Sequence, residues 1–150
     1  MIAAEKNLVI VRTFFVPRTL VWQAWTDPTI MVRWLPPHGL RTQEGSVEAD
    51  LRVGGTFRFT MVDSDGVEFP SEGEYLELRE PEFLRSTWGA PHQPIAELEV
   101  LLSARGARET EMTFRLRGQR DDTHRDDSVW TGWREAVEEL SRELEGNQHG

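Results

Sequence analysis

Five apolar residues near the C-terminus, Trp130, Trp133, Val137, Leu140 and Leu144, step by 3, 4, 3 and 4 along the chain. That spacing puts them on one stripe of an α-helix, with Glu135, Glu138, Glu139, Arg142 and Glu143 on the remaining surface. A stripe carrying two indoles must be covered, so the rest of the chain has to supply an apolar face of matching length. Thr123 with Asp126 three residues on resembles a capping box, the acids at 121, 122, 126 and 127 suit a helix N-terminus, and Gly146 ends the helix.

The matching face is written with period 2. Leu8 to Val16 reads as a strand, stopped by Pro17. Leu20, Val21, Ala24 and Trp25 then recur at helical spacing, and Asp27-Pro28 starts a second short helix running to about Trp34, before the breaker Pro36-Pro37-His38-Gly39. From Leu40 to Leu116 the signals are about six antiparallel strands and their turns. Val47, Ala49 and Leu51 oppose Glu48, Asp50 and Arg52; Phe57, Phe59 and Met61 oppose Arg58 and Thr60. Leu98, Val100 and Leu102, then Met112, Phe114 and Leu116, give further inward faces. Gly54-Gly55, Asp65-Gly66 and Gly106 mark turns. Between Gly73 and Leu78 the register stays open, because Tyr75 and the pair Leu76/Leu78 point to opposite sides of a regular strand. The expected architecture is α+β: a curved antiparallel sheet around the long C-terminal helix, with two short helices after the first strand.

Composition narrows the functions. At 150 residues the chain suits one domain with one sizeable core. Its formal net charge is -9, with no basic run longer than two residues, so nucleic acid and anionic membrane surfaces are poor partners. No apolar run approaches the roughly 20 residues of a bilayer span, and Met1 to Arg12 has no signal-peptide architecture, which places the expected protein in the cytoplasm. Cysteine is absent, which removes disulfides, thiolate metal sites and cysteine nucleophiles. Six Trp against one Tyr is the anomaly: large rigid aromatics must pack against a core, a cavity or a partner.

The motif order resembles the activator-of-Hsp90-ATPase-homologue branch of the START/Bet v 1-like (SRPBCC) superfamily. The residues that carry the resemblance are Val11-Arg12-Thr13-Phe14, Pro17, Val21-Trp22-Gln23-Ala24-Trp25-Thr26-Asp27-Pro28, Arg33-Trp34 and Asp50-Leu51-Arg52-Val53-Gly54-Gly55. Gly73-Glu74-Tyr75, Thr87-Trp88 and Gly132-Trp133 with Leu140 complete the set, which covers about residues 8 to 145 in one domain. The chain departs from the family pattern at Leu35-Pro36-Pro37, where a second aromatic and Gly-Pro are common, and at Ser86, where an apolar residue is common. The resemblance implies a helix-grip fold, a sheet wrapping the C-terminal helix, in which many superfamily members bind lipids, sterols or polyketides between helix and sheet.

Little else in the sequence announces chemistry. His38, His92, His124 and His149 lack the spacing of a metal-ligand pair, and the acids at 121, 122, 126 and 127 read as a solvated helix start. No serine sits in a nucleophile elbow; Ser86 alone is expected on the inner face, as a small wall residue. Glu48, Asp50 and Arg52 share one strand face, expected outward. No catalytic residue, metal or cofactor is therefore assigned. The expected function is binding of a small lipophilic or aromatic molecule in an apolar cavity walled by Trp25, Trp34, Phe57, Phe59, Met61, Tyr75, Trp88, Met112, Phe114, Trp130 and Trp133. The same residues would serve as ordinary core. Cavity energetics add a condition: at roughly 24 cal/mol per Å³, a dry void of about 400 Å³ costs on the order of 10 kcal/mol. That matches the whole stability of a domain, about 5–15 kcal/mol, so a large hollow must be filled or must collapse. Two alternatives remain: a co-chaperone-like interaction module for an Hsp90-type ATPase, and a cavity enzyme such as a cyclase or hydrolase. A homodimer through an apolar edge or an outward Trp22 is also open.

Overall fold

The computed structural model describes residues 6–35, 39–43, 45–90, 93–119 and 126–146, with side chains described for 8–35, 39–43, 45–89, 96–117 and 132–146. The chain runs β1 (Lys6–Phe14), α1 (Arg18–Thr26), α2 (Pro28–Trp34), β2 (Leu40–Thr42), β3 (Glu48–Ala49), β4 (Thr56–Asp63), β5 (Glu68–Arg79), β6 (Phe83–Ala90), β7 (Gln93–Ala104), β8 (Thr110–Gln119) and α3 (Asp126–Gly146). All strand pairs are antiparallel, in the order β1-β8-β7-β6-β5-β4-β2, with β3 on β4. The sheet curls into a half-barrel around α3, the expected α+β helix-grip arrangement. Among the described residues, the stretch expected to hold about six strands holds seven, because the short β2 and β3 divide the segment before β4.

The two short helices share one residue as their joint. Asp27 closes α1, donating its backbone N–H to the Gln23 carbonyl at 2.8 Å. Its side chain also opens α2, accepting from the Thr29 N–H at 2.9 Å and the Thr29 hydroxyl at 2.8 Å, ahead of Pro28. Pro17 caps α1 from outside it, and the first strand ends at Phe14, short of the expected Val16. Trp22, considered above as an outward residue, is buried at 4% exposure. It belongs to the apolar face that α1 turns inward, so it offers no surface for a dimer.

The inner face of the sheet is built in rows across the strands. Leu8, Leu116, Leu98, Ser86 and Tyr75 stand side by side, and so do Ile10, Phe114, Val100, Leu84 and Leu78. Tyr75 and Leu78 both face inward despite their odd spacing, because β5 shifts register between Tyr75 and Glu77. Leu76 is the extra residue of this bulge, which reverses the alternation after it. That settles the parity that the sequence leaves open.

Glu48, Asp50 and Arg52 face outward as expected, with Arg52 Nε 2.8 Å from Asp50 Oδ2. Leu51, expected inward, is 42% exposed, since the chain leaves the ladder after Ala49 and turns through Gly54 at φ 86. The Thr123 cap and the four histidines lie outside the described residues.

Candidate functional site

Two aromatic groups meet under α3. In the first, Trp133 holds the centre: its ring lies 4.8 Å from Phe114, 5.7 Å from Trp88 and 6.3 Å from Trp25, centroid to centroid. Trp34 packs edge-on to Trp25 at 4.7 Å and donates its Nε1–H to the Ala24 carbonyl at 2.8 Å, which docks α2 onto α1. In the second group, Phe57 sits 5.5 Å from Tyr75 and 6.5 Å from Phe59. Glycine makes that second group feasible. A Cβ on Gly73, opposite Phe57 in the ladder, would lie 2.6 Å from the Phe57 ring and 2.0 Å from the Thr87 carbonyl oxygen.

A hollow lies where the two groups approach. Its wall is Trp25, Met31, Leu35, Phe57, Phe59, Tyr75, Leu84, Ser86, Trp88, Leu98 and Trp133. Its volume is about 20 Å³, the room of roughly one water. Of the residues expected to line a cavity, six do so: Trp25, Phe57, Phe59, Tyr75, Trp88 and Trp133. Four stand elsewhere. Trp34, Met112 and Phe114 are completely buried behind the wall, and Met61 is half-buried. The Trp130 side chain lies outside the described residues. Met31, Leu35, Leu84 and Leu98 are wall residues absent from the sequence-based set. Leu84 and Leu98 carry a readable signal, since they share inward parity with Trp88 and Val100. Met31 and Leu35 carry none, because their position depends on how α2 docks.

The wall is apolar but not inert. Four of its residues bear a buried polar atom with no hydrogen-bond partner among the described residues: Trp25 Nε1, Tyr75 OH, Ser86 Oγ and Trp88 Nε1. Tyr75 and Ser86 are directly opposed on β5 and β6. Tyr75 is fixed by two backbone bonds of 2.9 Å to the preceding turn, accepting from the Gly54 N–H and donating to the Gly55 carbonyl. Burial, with a smaller contribution from the negative charge of Asp50, pushes the Tyr75 phenol up to about 12. The hydroxyl thus keeps its proton at neutral pH.

Ion pairs tie α3 to β1 and α2. Arg12 on β1 pairs with Glu138 and holds its carboxyl below the usual range, and Arg33 on α2 lies 2.8 Å from Glu143. Among the described residues no group of three or more His, Asp or Glu could hold a metal ion. No described helix is long and apolar enough to cross a membrane.

A curled sheet gripping a C-terminal helix, with a hollow between them, defines the Bet v 1-like class. The chain belongs to the family described as activator of Hsp90 ATPase homolog 1-like protein, which it matches over residues 16–145. Among solved structures it resembles protein CV1439 of Chromobacterium violaceum at 24% identity and a TM-score of 0.82, covering 93% of this chain and 98% of that one. Protein NE0264 of Nitrosomonas europaea matches at 24% identity and a TM-score of 0.80, covering 96% and 97%. CalU16 of Micromonospora echinospora matches at 23% identity and a TM-score of 0.68, covering 97% and 80%. At these identities the likeness establishes the fold. No curated protein sequence matches the chain. Both departures from the family pattern noted in the sequence, Leu35 and Ser86, belong to the wall of the hollow.

Proposed function

We propose that this protein binds a small, mostly apolar molecule between α3 and the sheet. One observation carries the reading: six aromatic rings converge on a hollow whose wall holds buried polar atoms with no protein partner among the described residues. Each such atom costs about 1–3 kcal/mol of desolvation that a matching ligand group would recover. A set of residues selected for packing alone would place apolar atoms there instead.

The small volume fits cavity energetics. A ligand of ordinary size occupies about 300–1,000 Å³, and holding that space open without an occupant would consume most of a domain's stability. The wall therefore closes, and binding proceeds by displacing side chains. Met31 is an unbranched, flexible wall residue suited to this. Among the described residues the wall includes no carboxylate, guanidinium or imidazole, which favours binding over the acid–base work of a cyclase or hydrolase.

The test is native mass spectrometry and tryptophan fluorescence against a library of lipophilic and aromatic compounds. Trp25, Trp88 and Trp133 stand in the wall, so the expected result is a bound mass with saturable quenching. Absence of both a bound mass and saturable quenching across the whole library would overturn the reading.

A further inference from the structure

The sheet has two ends, and they are unequal. At one end β2 contributes only three residues, Leu40–Thr42. At the other, β1 runs nine residues, Lys6–Phe14, and pairs on one side only, with β8. Among the described residues no backbone hydrogen bond outside that ladder reaches β1. Its second row of N–H and C=O groups is therefore a template for another strand. The devices that usually guard such an edge are weak here. The strand holds no proline, and Arg12, its one charge after Lys6, stands on the concave face already paired with Glu138.

The convex face of the edge is apolar. Val9 and Val11 point there, opposite in parity to Leu8 and Ile10, and both are more than half exposed. The row of Val11 continues through Thr113 to Leu101, which is exposed as well.

This edge fits a second copy of itself. Full antiparallel overlap of two β1 strands places a two-fold axis at Ile10. Ile10 then faces its own copy, each Val9 faces the partner's Val11, and each Arg12 faces the partner's Leu8. β-Branched residues thus meet across the axis and no like charges do, whereas an axis at Arg12 would set two guanidiniums opposite each other. Nine paired residues exchange roughly eight to ten main-chain hydrogen bonds, as many as a standard interface carries. The three residues of β2 give too short an edge for copies to keep adding, so the isologous pair closes at two.

We propose that the protein is a homodimer in which the β1 strands of two copies pair antiparallel about a two-fold axis at Ile10, joining both sheets into one. The pairing is independent of what the hollow holds.

The experiment is analytical ultracentrifugation of the intact protein over a dilution series up to about 100 μM, where an interface of micromolar affinity is populated. Two charge variants, Val9→Lys/Val11→Lys and Val9→Glu/Val11→Glu, go through the same series, and tryptophan fluorescence checks that each is folded. Both substitutions lie at exposed positions. The unaltered protein is expected at the mass of two chains, dissociating on dilution, with β1 amides exchanging more slowly as concentration rises. Each variant alone sets like charges at both Val9–Val11 pairs and is expected at the mass of one chain. An equal mixture of the two sets lysine against glutamate at both pairs and is expected to recover the dimer. A single-chain mass for the unaltered protein throughout the series would overturn the proposal. So would a lysine variant that stays dimeric, or folded variants that remain apart when mixed.

Discussion

Replacing Tyr75 with Phe deletes one buried oxygen and keeps the ring. The ring packs 5.5 Å from Phe57, and the residue is only 1% exposed, so the apolar contribution is preserved. What changes is the hydroxyl, which has no partner among the described residues. For a tyrosine with a satisfied hydroxyl, the change costs about 0.5–1.5 kcal/mol of stability. For an unsatisfied one the sign reverses, since a desolvation penalty of about 1–3 kcal/mol is removed. The expected outcome is therefore a variant at least as stable as the parent, and more stable by up to about 3 kcal/mol. Urea unfolding followed by tryptophan fluorescence reads this directly. With a slope near 2 kcal/mol per M, the midpoint should rise by roughly 0.5–1.5 M. Ser86→Ala applies the same logic to the neighbouring hydroxyl without touching a ring. A fall of more than about 1 kcal/mol in the Tyr75 variant would show that the Tyr75 hydroxyl is satisfied in the folded protein and has no unmet need for a ligand group.

Tyr75 is the chain's one tyrosine, so its titration can be followed alone by phenolate absorbance. The folded protein should ionise near pH 12 and the urea-unfolded chain near the ordinary value of 10.0. Because the folded form holds the proton more tightly, its stabilising share is complete below pH 10.0 and declines as pH rises toward about 12; a phenolate appearing near 10.0 in the folded state would contradict the burial argument. Trp133→Ala removes the ring at the centre of the first aromatic group and should cost about 3–5 kcal/mol in the same urea assay, against well under 1 kcal/mol for a ring that bridges nothing. Gly73→Ala forces a Cβ to within 2.0 Å of the Thr87 carbonyl oxygen and 2.6 Å of the Phe57 ring, so β5 and Phe57 must shift. A loss of about 1–3 kcal/mol is expected, and an unchanged midpoint would mean that the close approach is absent in solution.

The order of elements follows from patterns that are local in the chain. The 3/4 stripe ending in Leu144 dictates a helix with one buried face whatever it meets. Asp27-Pro28 dictates a helix start because a carboxylate can accept free N–H groups and proline has none to satisfy. Alternation put Phe57, Phe59, Leu98, Met112 and Phe114 on the inner face for the same reason: successive side chains of a strand point to opposite sides. The inward position of Ser86, between Leu84 and Trp88, follows from that rule too.

Which of those inward residues stand in front was decided by packing. Trp34 spends its indole N–H on the Ala24 carbonyl and Phe114 lies behind Trp133, so neither reaches the hollow, although both carry the same local signal as residues that do. Leu76 bulges out of β5 and thereby aligns Tyr75 with Leu78, a choice made by pairing with β6 rather than by their own sequence. Met31 and Leu35 become wall only because α2 docks where it does. The small size of the hollow is likewise a property of summed volumes. Periodicity fixes the direction of each side chain relative to its own backbone, but the space left between a helix and a sheet depends on how closely both approach, and that distance is set by every ring between them at once.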